Sequence, residues 1–320
     1  MKTSTRVLLT ISAVLVVVGI GLVVVALGMK HWNFSALNGR KFETNTYEFS
    51  DDFTVISLDT DTADITFALS NDGRCKVECY EPQKEKHSVS VTKGTLSVSY
   101  KDNREWYEKI ALFSMTSPKI TIYLPKAELE KLTVKEHTGD ITIPKDFTFG
   151  NISVKASTGD VECSASVTGT LDINLSTGGL SLKDMSAGEL KLTTTTGKMK
   201  LTDVTTGKIT MKVSTGKSVL KNVSCEQLDS TGSTGDISLE NVIVRNLLKI
   251  KRSTGDVTFN GSDAGEITIR TDTGNVKGTL LTEKIFYTKS DTGKIDVPKT
   301  MLGGRCDVET DTGDIKLKIK

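Results

Sequence analysis

The chain is short of most things that mark a catalytic or nucleic-acid-binding protein. Its 40 acidic and 41 basic residues nearly cancel, so no overall field draws it to nucleic acid or to membrane headgroups. Only three histidines are present, His31, His87 and His137. They are scattered, with no cysteine or second histidine beside them, which leaves a metal centre or a nucleophile–base pair nothing to rest on. The cysteines are odd in number and irregularly spaced: Cys75, Cys79, Cys163, Cys225 and Cys306. Neither a disulfide framework nor a zinc motif follows from that spacing. Cys75 and Cys79 stand four apart in a strand-like run, roughly 13 Å, too far for a bridge. All five read as buried free thiols. Aromatics are 6% of the chain and prolines number five. No segment beyond the N-terminus sustains a helical period. No catalytic, cofactor or metal residue is assigned.

What is present at the N-terminus is a long apolar run. Val7 to Met29 carries no charge and is long enough to cross a bilayer. Lys2 and Arg6 precede it, which favours a cytoplasmic N-terminus and places everything after about residue 30 outside the cytoplasm. The run exceeds a usual secretory core, so a retained signal anchor is preferred. Val25-Ala26-Leu27-Gly28 keeps cleavage open as the alternative, and no cysteine follows for lipoprotein processing. The organisation read from the sequence is 1–6 cytoplasmic tail, 7–29 transmembrane anchor, 30–50 linker, 51–131 irregular β cap and 132–320 regular repeats.

The repeat is the decisive signal. Thr-Gly recurs at Gly139, Gly159, Gly178, Gly197, Gly216, Gly235, Gly255, Gly274, Gly293 and Gly313, always 19 or 20 residues apart. The residue seven before each glycine is apolar, from Leu132 to Cys306. The residue two after it is apolar except at Ser218, and the residue four after it except at Gly278. Polar residues fill the positions between. That period of two makes both arms of each repeat strands with one buried face. A glycine fixed between two strands marks a left-handed or crowded turn. One such repeat cannot bury its apolar face alone, whereas stacked copies merge their inner rows into one core. The fold class expected is all-β: a single-stacked parallel β-solenoid of about ten coils, with an antiparallel sandwich ranked second.

The pattern begins weakly at Asp61-Thr62-Ala63-Asp64-Ile65, where Ala replaces the glycine, and is irregular up to residue 131. This stretch reads as the cap, since terminal repeats are atypical. At the other end Lys316-Leu317-Lys318-Ile319-Lys320 alternates lysine on a final strand, which discourages edge pairing.

Several short motifs imitate chemistry. Asp272-Thr273-Gly274, Asp291-Thr292-Gly293 and Asp311-Thr312-Gly313 match the aspartic-protease triplet, but they recur at coil spacing and read as turn variants. Gly216-Lys217-Ser218 resembles the end of a P-loop, yet Met211 stands where its first glycine is required. The residue after each glycine is often Asp, which raises calcium. Lys198, Lys217 and Lys294 interrupt that row, so solvated turn residues are preferred. A single threonine column is too narrow for an ice-binding face. One outward row is more informative. Four residues before the glycines stand Lys135, Lys155, Lys212, Lys251, Arg270 and Lys289, interrupted by Asn174, Thr193, Thr231 and Glu309. Stacked roughly 5 Å apart, they would form a basic stripe able to follow an anionic envelope polymer. A solubilising strand face is the plainer account. Replacing Lys251, Arg270 and Lys289 by Gln tests the stripe.

Pro118-Lys119-Ile120-Thr121-Ile122-Tyr123-Leu124-Pro125, then Leu129 to Val134, then the Ser-Thr-Gly-Asp-Val/Ile copies carry a resemblance over about residues 50–320. The chain resembles the bacterial DUF4097 "putative adhesin" family, which includes LiaG-like envelope proteins. That resemblance implies a β-solenoid at the cell surface, often behind a membrane anchor, and brings no catalytic residues. The reading is a non-enzymatic surface protein binding an envelope polymer or protein. The alternative is an accessory subunit of an envelope-stress sensor. A polysaccharide lyase fits the fold but lacks a loop with clustered acids and bases.

Overall fold

The computed structural model describes residues 3–29, 41–102, 117–125 and 127–320. The apolar run forms helix α1, Thr3–Met29. Among the described residues no helix is long and apolar enough to cross a membrane. The fold therefore supplies a helix at 7–29, while the crossing rests on the sequence.

From residue 128 onward the chain winds as a parallel β-solenoid of about nine turns between ten Thr-Gly corners. Alternation of apolar and polar residues along each arm puts one face inside, and identical registers let every rung pair with the next. Leu190, for example, lies between Leu171 and Ile209. The inner rows merge into one apolar core. The corner glycines have φ between 130° and 157°, where a side chain is strained. Space excludes a side chain as well: a Cβ on Gly197 would lie 1.8 Å from the Gly178 carbonyl oxygen. Its amide donates to the Thr215 carbonyl at 3.0 Å, and every other corner but Gly293, on the outermost rung, repeats the same rung-to-rung bond.

A second periodic corner lies six residues past the glycine. Asp184, Asp203, Asn222 and Asn241 there have φ of 51–54°, and Gly261 has 59°. Asp and Asn tolerate this left-handed conformation better than other side chains. The Asn241 amide donates to Asn222 Oδ1 and the Asn222 amide to Asp203 Oδ1, stitching three rungs.

Among the described residues the cap contains seven strands: β1 (Phe42–Phe49), β2 (Val55–Asp59), β3 (Asp64–Leu69), β4 (Cys75–Pro82), β5 (Glu85–Thr92), β6 (Thr95–Asp102) and β7 (Lys119–Leu124). β1 falls within the 30–50 segment expected to be linker. β2 and β3 make a rung below the first glycine corner, and Gly139 packs on the carbonyl of Ala63. β6 and β7 continue the parallel stack beneath them. There the polarity changes. β5 pairs antiparallel with β6, and β4 pairs antiparallel with β7 and with β1. Hairpins thus close an end that parallel coils would leave open.

The other end departs from sequence order. Strand Gly304–Thr312 pairs with Val257–Thr273 on one side and Lys284–Thr292 on the other. The rung of Gly313 is thus inserted between those of Gly274 and Gly293. The expectation that each coil stacks on its sequence neighbour fails here, because the chain skips one level and then returns to fill it. The outermost rung is Lys284–Thr292 with Ile295–Asp296, and Ile295 and Tyr287 are exposed on it. The lysine-rich strand Ile315–Ile319 consequently has a neighbour on each side, Val276–Leu280 and the short Ile295–Asp296.

A buried ion pair fastens this detour. Lys284 Nζ lies 2.6 Å from Asp263 Oδ1, with both side chains at least nine-tenths covered. Asp263 Oδ2 accepts the amides of Leu281 and Thr282.

Candidate functional site

The corner carboxylates have a mechanical task. Asp140 Oδ1 accepts the amide of Asp160, Asp160 Oδ1 that of Gly179, and Asp256 Oδ1 that of Asn275, at 2.7–2.9 Å. Asp314 Oδ1 does the same for Lys294. Each holds the equivalent amide of the next rung, which accounts for Asp in the repeat without a bound cation. The three Asp-Thr-Gly triplets lie on neighbouring rungs of one exposed edge, not on two loops facing each other. Met211, at the P-loop glycine position, is fully buried in the core.

The basic row is a true column on one outward face. Its registers run Asp59, Lys135, Lys155, Asn174, Thr193, Lys212, Thr231, Lys251, Arg270, Glu309, Lys289. The swapped last rungs place Glu309 between Arg270 and Lys289. Arg270 Nε is 2.8 Å from Glu309 and its Nη1 2.9 Å from Asp307. Lys289 pairs with Asp291 and Glu309, and those carboxylates push its ammonium pKa upward. Lys135 lies 3.6 Å from Asp59. Lys155, Lys212 and Lys251 are exposed with no ion pair among the described residues. The continuous stripe reduces to these three. Side chains two residues away share their face, and those are Ser153 and Ser157, Thr210 and Ser214, Lys249 and Ser253.

The cap holds a polar cluster that the sequence did not disclose. Cys79 and Glu81 point inward from β4, and His87 points inward from β5. All three are buried, and one donor atom from each lies within 4.8 Å of the others. Glu81 Oε2 accepts His87 Nδ1 at 2.6 Å and the His87 amide at 2.7 Å. Glu81 Oε1 accepts the Asn45 amide at 2.7 Å, and the Tyr47 hydroxyl donates to the His87 carbonyl. His87 Nε2 is buried with no hydrogen-bond partner. Nearby, Glu136 is buried on Glu128–Thr138, and burial pushes its pKa up against hydrogen bonds from Thr60 and two backbone amides. The expectation that no histidine has a cysteine companion is corrected for His87. His137 is exposed, 3.7 Å from Asp61, and His31 lies outside the described residues. An alternating strand, a short hairpin turn and an alternating strand are legible there, but not that the two strands face each other across the core.

All five cysteines are free and buried. Burial pushes the thiols of Cys79, Cys163, Cys225 and Cys306 up to about 12 and that of Cys75 to about 11.

Comparison with known proteins follows the same architecture. No curated protein shows significant similarity. A crystal structure named "putative adhesin" from Parabacteroides distasonis is 15% identical, with a TM-score of 0.52, covering 75% of this chain and 98% of that one. A "putative adhesin" from Parabacteroides merdae is 15% identical, with a TM-score of 0.45, covering 88% and 97%. A "putative lipid binding protein" from Parabacteroides distasonis is 20% identical, with a TM-score of 0.48, covering 75% and 97%. At these identities the first shares the fold and nothing finer. The family model Toastrack DUF4097 matches residues 53–217 and again 205–320, every glycine corner included, and the chain belongs to that family.

Proposed function

We propose that this is a non-enzymatic cell-surface protein, held in the membrane by residues 7–29 with its N-terminus cytoplasmic. Its solenoid stands outside and binds an anionic envelope polymer, a teichoic acid or another charged glycan. The observation that carries this reading is the exposed trio Lys155, Lys212 and Lys251, in one column and without an ion pair among the described residues. They are three and two rungs apart, about 14 and 10 Å at the ~4.8 Å strand spacing. Hydroxyl side chains beside them add donors to a linear ligand. The name putative adhesin, carried by a protein of the same fold, supports this reading.

The test is sedimentation of the full chain, in detergent, with purified cell walls. The wild type pellets at low salt and is released as salt rises, because exposed charges are screened. The triple variant Lys155→Gln, Lys212→Gln, Lys251→Gln loses most of that binding and keeps the wild-type unfolding midpoint. Equal binding by the variant overturns the column. Absence of wall binding by the wild type, with loss of envelope-stress control on deletion, replaces this reading with the accessory-subunit one.

A further inference from the structure

The cap cluster has the composition of a metal site. Sulfur, imidazole nitrogen and carboxylate oxygen are the donors that zinc and its neighbours use, at about 2.0–2.3 Å from the ion. Donors on a tetrahedral ion at those lengths lie about 3.3–3.8 Å apart. The three donors here all lie within 4.8 Å of one another, and Glu81 Oε2 is 2.6 Å from His87 Nδ1, so the carboxylate turns from the ring nitrogen to the ion when the ion binds. Cys79 and Glu81 are fully buried and His87 is 3% exposed, so the donors are held in place by packing.

The second observation is the histidine itself. Glu81 Oε2 holds the ring at Nδ1 and also accepts the His87 main-chain amide, yet His87 Nε2 is buried with no hydrogen-bond partner. An orphaned buried polar atom costs about 1–3 kcal/mol, which marks this ring as incompletely partnered. The carboxylate is already fixed by Asn45 and by the His87 amide. Such outer bonds orient ligands and sharpen affinity.

We propose that Cys79, Glu81 and His87 bind one divalent transition-metal ion of the zinc type. The three protein donors leave a fourth position of the tetrahedron for water or another oxygen. Binding exchanges the Cys79 thiol proton for a sulfur–metal bond, and the proton leaves to the buffer. The ion ties β4 to β5, two strands of opposite walls joined only by a tight turn. It thereby staples the irregular end of the rod, where no further glycine corner does so.

The experiment uses the purified full chain, stripped with chelator and then dialysed against Zn2+ or Co2+. Expected are one zinc per chain, a higher unfolding temperature with zinc, and a thiolate-to-cobalt charge-transfer absorption. Cys79→Ser and His87→Gln abolish that absorption and weaken zinc binding at least about tenfold, whereas Cys163→Ser, a buried thiol of the regular coils, changes neither. The wild-type arms decide the matter even where a variant folds poorly. Less than about a tenth of a zinc per chain, a cobalt spectrum without the thiolate band, or an equal loss in Cys163→Ser overturns the site and leaves a hydrogen-bonded His–Glu pair only.

Discussion

At the scale of residues, the interior is decided by what each inward position can tolerate. Arg252 points into the core, 2% exposed, and Gly232 on the rung beneath leaves room for it. Its guanidinium donates to Ser230 Oγ at 2.9 Å, and burial lowers its pKa to about 10, so it stays charged at neutral pH. The alternation puts Arg252 on the inner face, but only the missing side chain of Gly232 explains how it fits. The thiols give a prediction. Their folded pKa values lie above the ordinary thiol value, so the stability they protect is complete below about pH 8.5. It is lost as pH rises towards 11–12, because the unfolded chain ionises first. Each buried thiol adds a slope of about 1.4 kcal/mol per pH unit in that window. Urea unfolding between pH 8 and 11 shows a steep alkaline loss, and Cys163→Ala with Cys225→Ala makes it shallower. A slope unchanged by these substitutions contradicts the assignment.

At the scale of elements, a strand survives here only through the rungs on either side. The Thr-Gly corner was plain in the sequence because glycine is demanded by both φ and space. The second corner, at the Asp or Asn six residues on, reads as an ordinary polar residue until the backbone is seen to turn left-handed there. The Asp263–Lys284 pair shows no sequence pattern at all, since the detour that brings the two together is a tertiary event. Removing one partner leaves a buried charge alone. Asp263→Ala is expected to cost roughly 3–5 kcal/mol, while the double variant Asp263→Asn, Lys284→Met recovers most of it. Equilibrium unfolding of the two variants and the wild type checks this. A single-variant loss below about 1 kcal/mol would mean that the ammonium finds other partners.

At the scale of the whole molecule, the swapped rungs govern how the rod ends. A chain stacked in sequence order loses one rung when cut after Gly303. In the observed order the same cut removes the partner that the Lys284–Thr292 strand pairs with. Truncation there is expected to make residues 284–303 sensitive to protease while the coils up to Gly274 stay protected; mass spectrometry of the fragments reads the result. Continued protection of Lys284–Thr292 would refute the swap. The sequence by itself determined the repeat length, the glycine edge, the buried rows and the outward lysines, because each follows from a local period imposed on every rung alike. Tertiary structure decided the order of the last two rungs, the neutralising of Arg270 and Lys289, and the meeting of Cys79 and Glu81 with His87. Those depend on which strands become neighbours across the core or after a detour, and a one-dimensional period carries no information about that choice.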